Sequence, residues 1–105
     1  MERAEQMSYR TVAAEPNNAT YLDTYAWILF LEKKYEEAKI YIDRAVENDA
    51  DSSAVILEHA GDIHAMTQNT QRAVELWQSA LRHGSKSKTL LRKIKLRKYI
   101  KESTQ

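Results

Sequence analysis

The sequence predicts an all-α solenoid of antiparallel helix pairs, and two observations carry that prediction. The first is composition: the 105 residues include only two Gly and one Pro, which is little material for hairpins and β-turns. The second is an internal repeat, because aligning the run from Ala19 with the run from Ala54 superposes large residues on large and small on small. The offset of 35 residues fits a unit of two helices, so the chain has room for a short repeat array.

The chain opens with a helix predicted near residues 2 to 15. Small residues such as Ala4 and Ser8 occupy positions that suit the second helix of a unit, but no partner helix precedes them in the sequence. We therefore interpret residues 1–17 as the second helix of a truncated repeat.

The first complete unit is predicted over residues 18–52, with helices near 19 to 32 and 35 to 48. Four residues at the i, i+3, i+4, i+7 spacing form one apolar helix stripe: Leu22, Tyr25, Ala26 and Leu29. The second helix offers Ala38 and Ala45 to this stripe, so the two helices are expected to approach closely.

The second complete unit is predicted over residues 53–85, with helices near 53 to 67 and 70 to 83. Its first helix repeats the stripe as Leu57, Ala60, Gly61 and His64. Its second helix repeats the small residues as Ala73 and Ala80, and Gly84 is expected to end it.

A basic C-terminal capping helix and tail is predicted over residues 86–105, with the helix itself near 87 to 101. Leu91 and Ile94 stand where a further unit would place its first large residues, so we expect both to be buried against the second unit. The charged residues between and after them are expected to remain in water at i, i+4 spacing: Lys93, Arg97 and Lys101.

At these positions the chain resembles the tetratricopeptide repeat (TPR) family, whose pattern reads roughly W-x2-L-G-x2-Y and then A-x3-F-x2-A over about 34 residues. Ala26 and Gly61 stand at the family's Gly position, while Leu29 and His64 stand at its Tyr position. The chain departs from the pattern at Ala50, which replaces the closing Pro of the first unit. The resemblance implies a TPR-like α-solenoid, the C-terminal fragment of a longer bacterial-type array, and a non-catalytic protein-protein interaction scaffold.

In this family a second face of the first helices lines a concave groove, and the resemblance places six candidate partner-binding residues there: Asp23, Trp27, Phe30, Glu58, Asp62 and Met66. The family's carboxylate clamp for acidic tails uses Lys, Arg and Asn, and it is not matched on this face. The same face sets apolar side chains beside carboxylates, so the expected partner is a protein or peptide segment that is basic and apolar. Two alternatives assign these residues no role in binding. In the first, Trp27 and Phe30 pack on a neighbouring helix, and in the second, Glu58 and Asp62 form a solvated helix face.

The remaining sequence features exclude several classes of function. The chain has no Cys, its histidines lack partners at metal-ligand spacing, and no nucleophile arrangement or phosphate-binding loop is present. We expect no catalytic residue, metal or cofactor. The longest apolar run, Tyr25 to Leu31, lies inside a helical pattern rather than between turns, and it is far shorter than a membrane span.

The charge is strongly segregated along the chain. Residues 1–81 carry 7 basic and 14 acidic side chains, whereas residues 82–105 carry 9 and 1. This asymmetry supports an alternative function, binding of nucleic acid or an anionic surface through the basic helix. Apolar residues interleave with the charges, which favours the cap and makes nucleic acid the weaker alternative.

Two further expectations concern the surroundings of the chain. Its N-terminal side is expected to contact other repeats of a parent chain, or to self-associate where they are missing. We expect a soluble chain, in the cytoplasm or, with an export signal in a longer parent, in the bacterial cell envelope.

Overall fold

The computed structural model describes residues 2–49 and 53–100, and within them the chain forms six α-helices and no strand. The helices are α1 (Glu2–Ala14), α2 (Ala19–Leu31), α3 (Tyr35–Asn48), α4 (Ala54–Met66), α5 (Thr70–Arg82) and α6 (Leu90–Leu96). The all-α prediction is confirmed, and the first five helices end within a residue of their predicted bounds. None of these helices is both long and apolar enough to cross a membrane.

Helices that are consecutive in sequence pack against each other, as an α-solenoid requires. The most extensive contacts join α2 to α3 and α4 to α5, and α3 to α4 contacts connect the two pairs. The four small residues predicted at the helix crossings are completely buried: Ala38, Ala45, Ala73 and Ala80. Their methyl groups leave room for the facing helix, which confirms the predicted close approach.

The two units also share the backbone geometry of their turns. Lys33 and Gln68, which are 35 residues apart, both adopt the left-handed conformation with φ of 65°. In each turn a backbone N–H donates to the carbonyl five residues earlier at 2.9 Å, Lys34 to Leu29 and Asn69 to His64. The repeat inferred from side-chain size is therefore present in the main chain as well.

His64 is buried in the stripe of α4, where the sequence placed a substitute for an aromatic residue. Its ring Nε2 donates to Asp43 Oδ1 at 2.7 Å, and its Nδ1 accepts from Asn69 Nδ2 at 3.4 Å. Both ring nitrogens are thus satisfied within the fold, so His64 stabilises the junction between α3, α4 and the following turn.

The C-terminal helix differs from the prediction in both length and orientation. It spans only Leu90–Leu96, because Arg97 turns the chain through the left-handed conformation at φ of 57°. Leu90 is 1% exposed and Lys93 is 3% exposed, whereas Leu91 is 64% exposed. The expectation of a buried Leu91 and a solvated Lys93 was wrong.

Ile94, by contrast, packs partly buried against the core as expected. The buried face is rotated by one residue because Lys93 is drawn inward by carboxylates on α4. Lys101 lies outside the described residues.

Candidate functional site

The face of α2 and α4 that the sequence assigned to a groove holds a pocket of about 280 Å³, which we name the groove pocket. Helices α2 and α4 form two of its walls, and the C-terminal segment forms the third. Its lining consists of Trp27, Leu31, Val55, Glu58, His59, Asp62, Lys93, Tyr99 and Ile100.

An aromatic stack joins α2 to α4 at one wall of the pocket. The Trp27 ring lies 4.0 Å from the His59 ring and 4.5 Å from the Phe30 ring, nearly parallel to both. His59 Nδ1 donates to Asp23 Oδ1 at 2.8 Å, which fixes the imidazole under the indole. Trp27 therefore packs on a neighbouring helix, and its half-buried ring also faces the pocket.

An ion cluster forms the opposite wall. The Lys93 ammonium lies 2.8 Å from Glu58 Oε2 and 2.9 Å from Asp62 Oδ1, and the Trp77 indole N–H donates to the same Asp62 oxygen at 3.0 Å. Ser85 Oγ donates to Glu58 Oε1 at 3.2 Å. Asp62 is only 3% exposed, so the expectation of a solvated carboxylate face was wrong.

The pKa directions in this cluster follow from burial and pairing. Burial raises the pKa of Asp62 to about 6, although the charge of Lys93 and the indole N–H of Trp77 act against the increase. Burial also opposes ionisation of Glu58, but hydrogen bonds from Lys93 and the nearby serines bring its pKa below the ordinary value. The pKa of Lys93 is raised despite burial, because the Asp62 and Glu58 carboxylates stabilise its charged form. The ammonium is therefore held charged inside the fold.

The chain beyond α6 continues into the groove. The edge of the Tyr99 ring meets Phe30 with ring centroids 5.2 Å apart, and the Lys93 ammonium lies 5.4 Å from the centre of the Tyr99 ring. Ile100 follows Tyr99 along the rim of the groove pocket. Phe30, expected as a contact surface for a partner, is buried, with its ring packed against Trp27, Tyr35 and Tyr99.

The predicted site residues are thus mostly brought together. Trp27, Glu58 and Asp62 line the groove pocket. Asp23 and Phe30 do not line it, but they contact the aromatic wall, Asp23 through His59 and Phe30 through Trp27. Met66 is 38% exposed and does not line the pocket.

Several residues that line the pocket were not among the predicted site residues, including His59, Lys93 and Tyr99. One signal for Lys93 was present, because a Trp at a core position needs an acceptor for its N–H, and a buried carboxylate acceptor needs a cation. Across residues 2–49 and 53–100, no group of three or more potential metal ligands is found.

Comparison with known proteins identifies the fold. No protein-family model and no curated protein matches the chain. YrrB, described as a TPR protein with an unusual peptide-binding site, superposes with a TM-score of 0.78 at 21% identity, over 90% of this chain and 48% of that one. This chain therefore spans about half the length of YrrB.

Two further solved structures agree with YrrB. The N-terminal domain of stress-induced protein-1 (STI-1) from C. elegans gives a TM-score of 0.72 at 24% identity, over 91% of this chain and 80% of that one. A chain of the Naa15/Naa10 complex bound to HypK-THB gives 0.72 at 20% identity, over 90% and 14%. The chain therefore has the TPR fold, as its sequence predicted.

Proposed function

We propose that the chain is a non-catalytic protein-protein interaction module whose groove takes a basic and apolar segment of a partner. The observation that carries this proposal is the groove pocket itself, which sets apolar and aromatic walls beside carboxylates. A concave apolar site with a few convergent polar groups is the usual form of a binding site. YrrB, one of the similar structures, is described as having a peptide-binding site, which supports the same use of the fold.

The apolar wall supplies most of the expected affinity. Leu31 and Val55 are more than half exposed and flank the half-buried Trp27, so a partner side chain inserted here would remove apolar surface from water. The carboxylates contribute mainly to selectivity, because Lys93 already neutralises one of the two that it contacts. A Lys or Arg near the pocket rim gains on the order of 1 kcal/mol or less.

A peptide array probed with the labelled chain tests this function. Peptides that combine aromatic or aliphatic residues with Lys or Arg should be enriched, and Trp27→Ala should weaken their binding at least about fivefold by removing the main apolar contact. Leu91→Ala is the matched control, since Leu91 is exposed and lies outside the groove pocket. An array without basic-apolar enrichment, or binding unaffected by Trp27→Ala, would rule the proposal out.

The N-terminal side supports a second contact, with another repeat. His59 of α4 stacks on Trp27 of the preceding repeat unit. The equivalent position in the first unit, 35 residues earlier, is Thr24, which lines an open pocket between α1 and α2. Ile28 and Met7 line the same pocket. An apolar helix that packs on α2 in the way that α2 packs on α4 would therefore cover it. Sedimentation of this chain beside one extended by a repeat tests the point: the shorter chain should self-associate more.

Binding of nucleic acid or an anionic surface remains the second candidate because several cations at the C-terminal end are exposed: Lys86, Lys88, Arg92, Lys95, Arg97 and Lys98. Titration with RNA and DNA at two salt concentrations distinguishes the two functions. Strong affinity that falls steeply with salt would favour this candidate over the peptide groove.

A further inference from the structure

The C-terminal segment has two parts with different surroundings. Leu90 and Lys93 on α6 are almost completely buried and attach the helix to the second unit. After the left-handed turn at Arg97, the chain runs back toward α2, where Tyr99 and Ile100 enter the lining of the groove pocket. The first part therefore packs on the second unit, and the second part reaches the first unit as well.

The contacts of Tyr99 are those of a ligand in the groove. Its ring meets Phe30 of α2 edge-on at 5.2 Å, and the Lys93 ammonium approaches the ring at 5.4 Å. Aromatic edge contacts and cation–π contacts of this kind add to the burial of the ring. The chain itself therefore shows that this site accepts an aromatic side chain.

The segment is less buried than the helix that precedes it. Tyr99 and Ile100 are only half-buried, in contrast to Leu90 and Lys93, and Lys98 beside them is exposed. Between this segment and the wall formed by Trp27, the groove pocket remains open at about 280 Å³. The ion pairs that secure α6 involve Lys93, Glu58 and Asp62 and no residue of segment 98–100.

We propose that segment 98–100 is a built-in occupant of the groove, and that the partner is a peptide with the same chemistry, an aromatic–aliphatic pair next to a Lys or Arg, which displaces it. This inference rests on the proposed function and specifies its ligand and its regulation. Because the segment covers part of the site, the intact chain binds such a partner more weakly than a chain in which this part is open. The intramolecular position gives the segment a high effective concentration, so few intact molecules are open at a given time.

A polarisation titration with one labelled probe tests the inference. The probe is a capped peptide with the sequence of residues 95–100, and it is titrated with the intact chain and with the Tyr99→Ala variant. Tyr99→Ala should bind about tenfold more tightly, because it removes the internal competitor. Leu96→Ala is the control and should match the intact chain, because it changes an exposed residue outside the pocket.

The outcomes separate this inference from the function on which it rests. If the probe binds the intact chain and Tyr99→Ala equally, the segment does not compete and the inference is wrong, while the groove function stands. If basic-apolar array peptides bind but the probe does not, the assigned ligand chemistry is wrong. If no peptide binds any variant, the proposed function itself fails. If sedimentation shows that the intact chain dimerises at the titration concentrations and Tyr99→Ala does not, the segment occupies a second copy, which overturns the intramolecular assignment.

Discussion

The two repeat units fill the same crossing of helices with different pairs of side chains. In the first unit the aligned positions hold Ala26 and Ile42, and in the second they hold Gly61 and Trp77, all within the core. A Cβ added at Gly61 would overlap the Trp77 indole, so the larger residue on α5 requires the smaller residue on α4. At this crossing the second unit thus combines a larger residue on one helix with a smaller residue on the other.

The larger residue has consequences that Ile42 does not have. The indole N–H of Trp77 needs an acceptor inside the core, and Asp62 supplies it at 3.0 Å. The buried carboxylate then needs a cation, which Lys93 supplies from α6. At the position aligned with Asp62, the first unit carries Trp27, which stacks on His59 instead. The helix crossing of the second unit therefore depends on Lys93 of α6, whereas the crossing of the first unit needs no such cation.

The largest expected effect comes from breaking that dependence. Lys93→Met leaves Glu58 and Asp62 without their cation, and losing one partner of a buried ion pair costs about 3 to 5 kcal/mol of unfolding free energy. Lys95→Met is the matched control, because Lys95 on the same helix is exposed and should change stability by less than about 0.5 kcal/mol. Chemical denaturation measures both. A loss below about 1 kcal/mol for Lys93→Met would mean that the carboxylates are satisfied without it.

The next effect concerns the pH dependence of Asp62. Its pKa is about 6 in the folded chain against 3.8 for the ordinary side chain, so between these values the folded protein keeps a proton that the unfolded chain has lost. Stability therefore falls as pH rises from about 4 to 6, by at most about 3 kcal/mol relative to Asp62→Asn. Asn keeps an oxygen acceptor for the Trp77 N–H and does not titrate. Denaturation of both chains at pH 4 and pH 7 measures this change in unfolding free energy. If the stability of the wild type relative to Asp62→Asn rises with pH, the prediction is wrong.

The smallest effect tests the exchange of volume itself. Gly61→Ala forces a methyl group against the indole and should cost about 1 to 3 kcal/mol. In a Trp77→Ile background, which recreates the pair of the first unit, that cost should disappear. Ala26→Gly in the first unit serves as the reference and should cost about 1 kcal/mol from helix propensity. Additive losses in the double variant would show that the two positions are not coupled.

Sequence reasoning succeeded where the structure repeats. The stripes on α2 and α4 and the paired alanines on α3 and α5 recur at a fixed spacing, so each unit supports the assignment of the other. Helix bounds and the buried alanines followed from this pattern alone. The TPR fold was predictable for the same reason, since its signature is a pattern of side-chain sizes.

The candidate site was predictable only in part, because it depends on contacts that do not recur in both repeat units. Trp27, Glu58 and Asp62 were predicted to share one face, and all three line the groove pocket, since a helical face follows from periodicity. The orientation of α6 does not repeat elsewhere, and apolar spacing favoured Leu91 over Leu90. What decides the orientation is the electrostatic need of Asp62 for Lys93, a contact across 31 positions that no local pattern records.

The ion cluster also limits where the chain can be shortened. The crossing of α2 and α3 buries the apolar side chain of Ile42. The crossing of α4 and α5 instead encloses Asp62, whose cation Lys93 follows α5 in the chain. A fragment that ends with α5 would therefore bury a carboxylate without its cation, so the second unit is complete only when α6 is included.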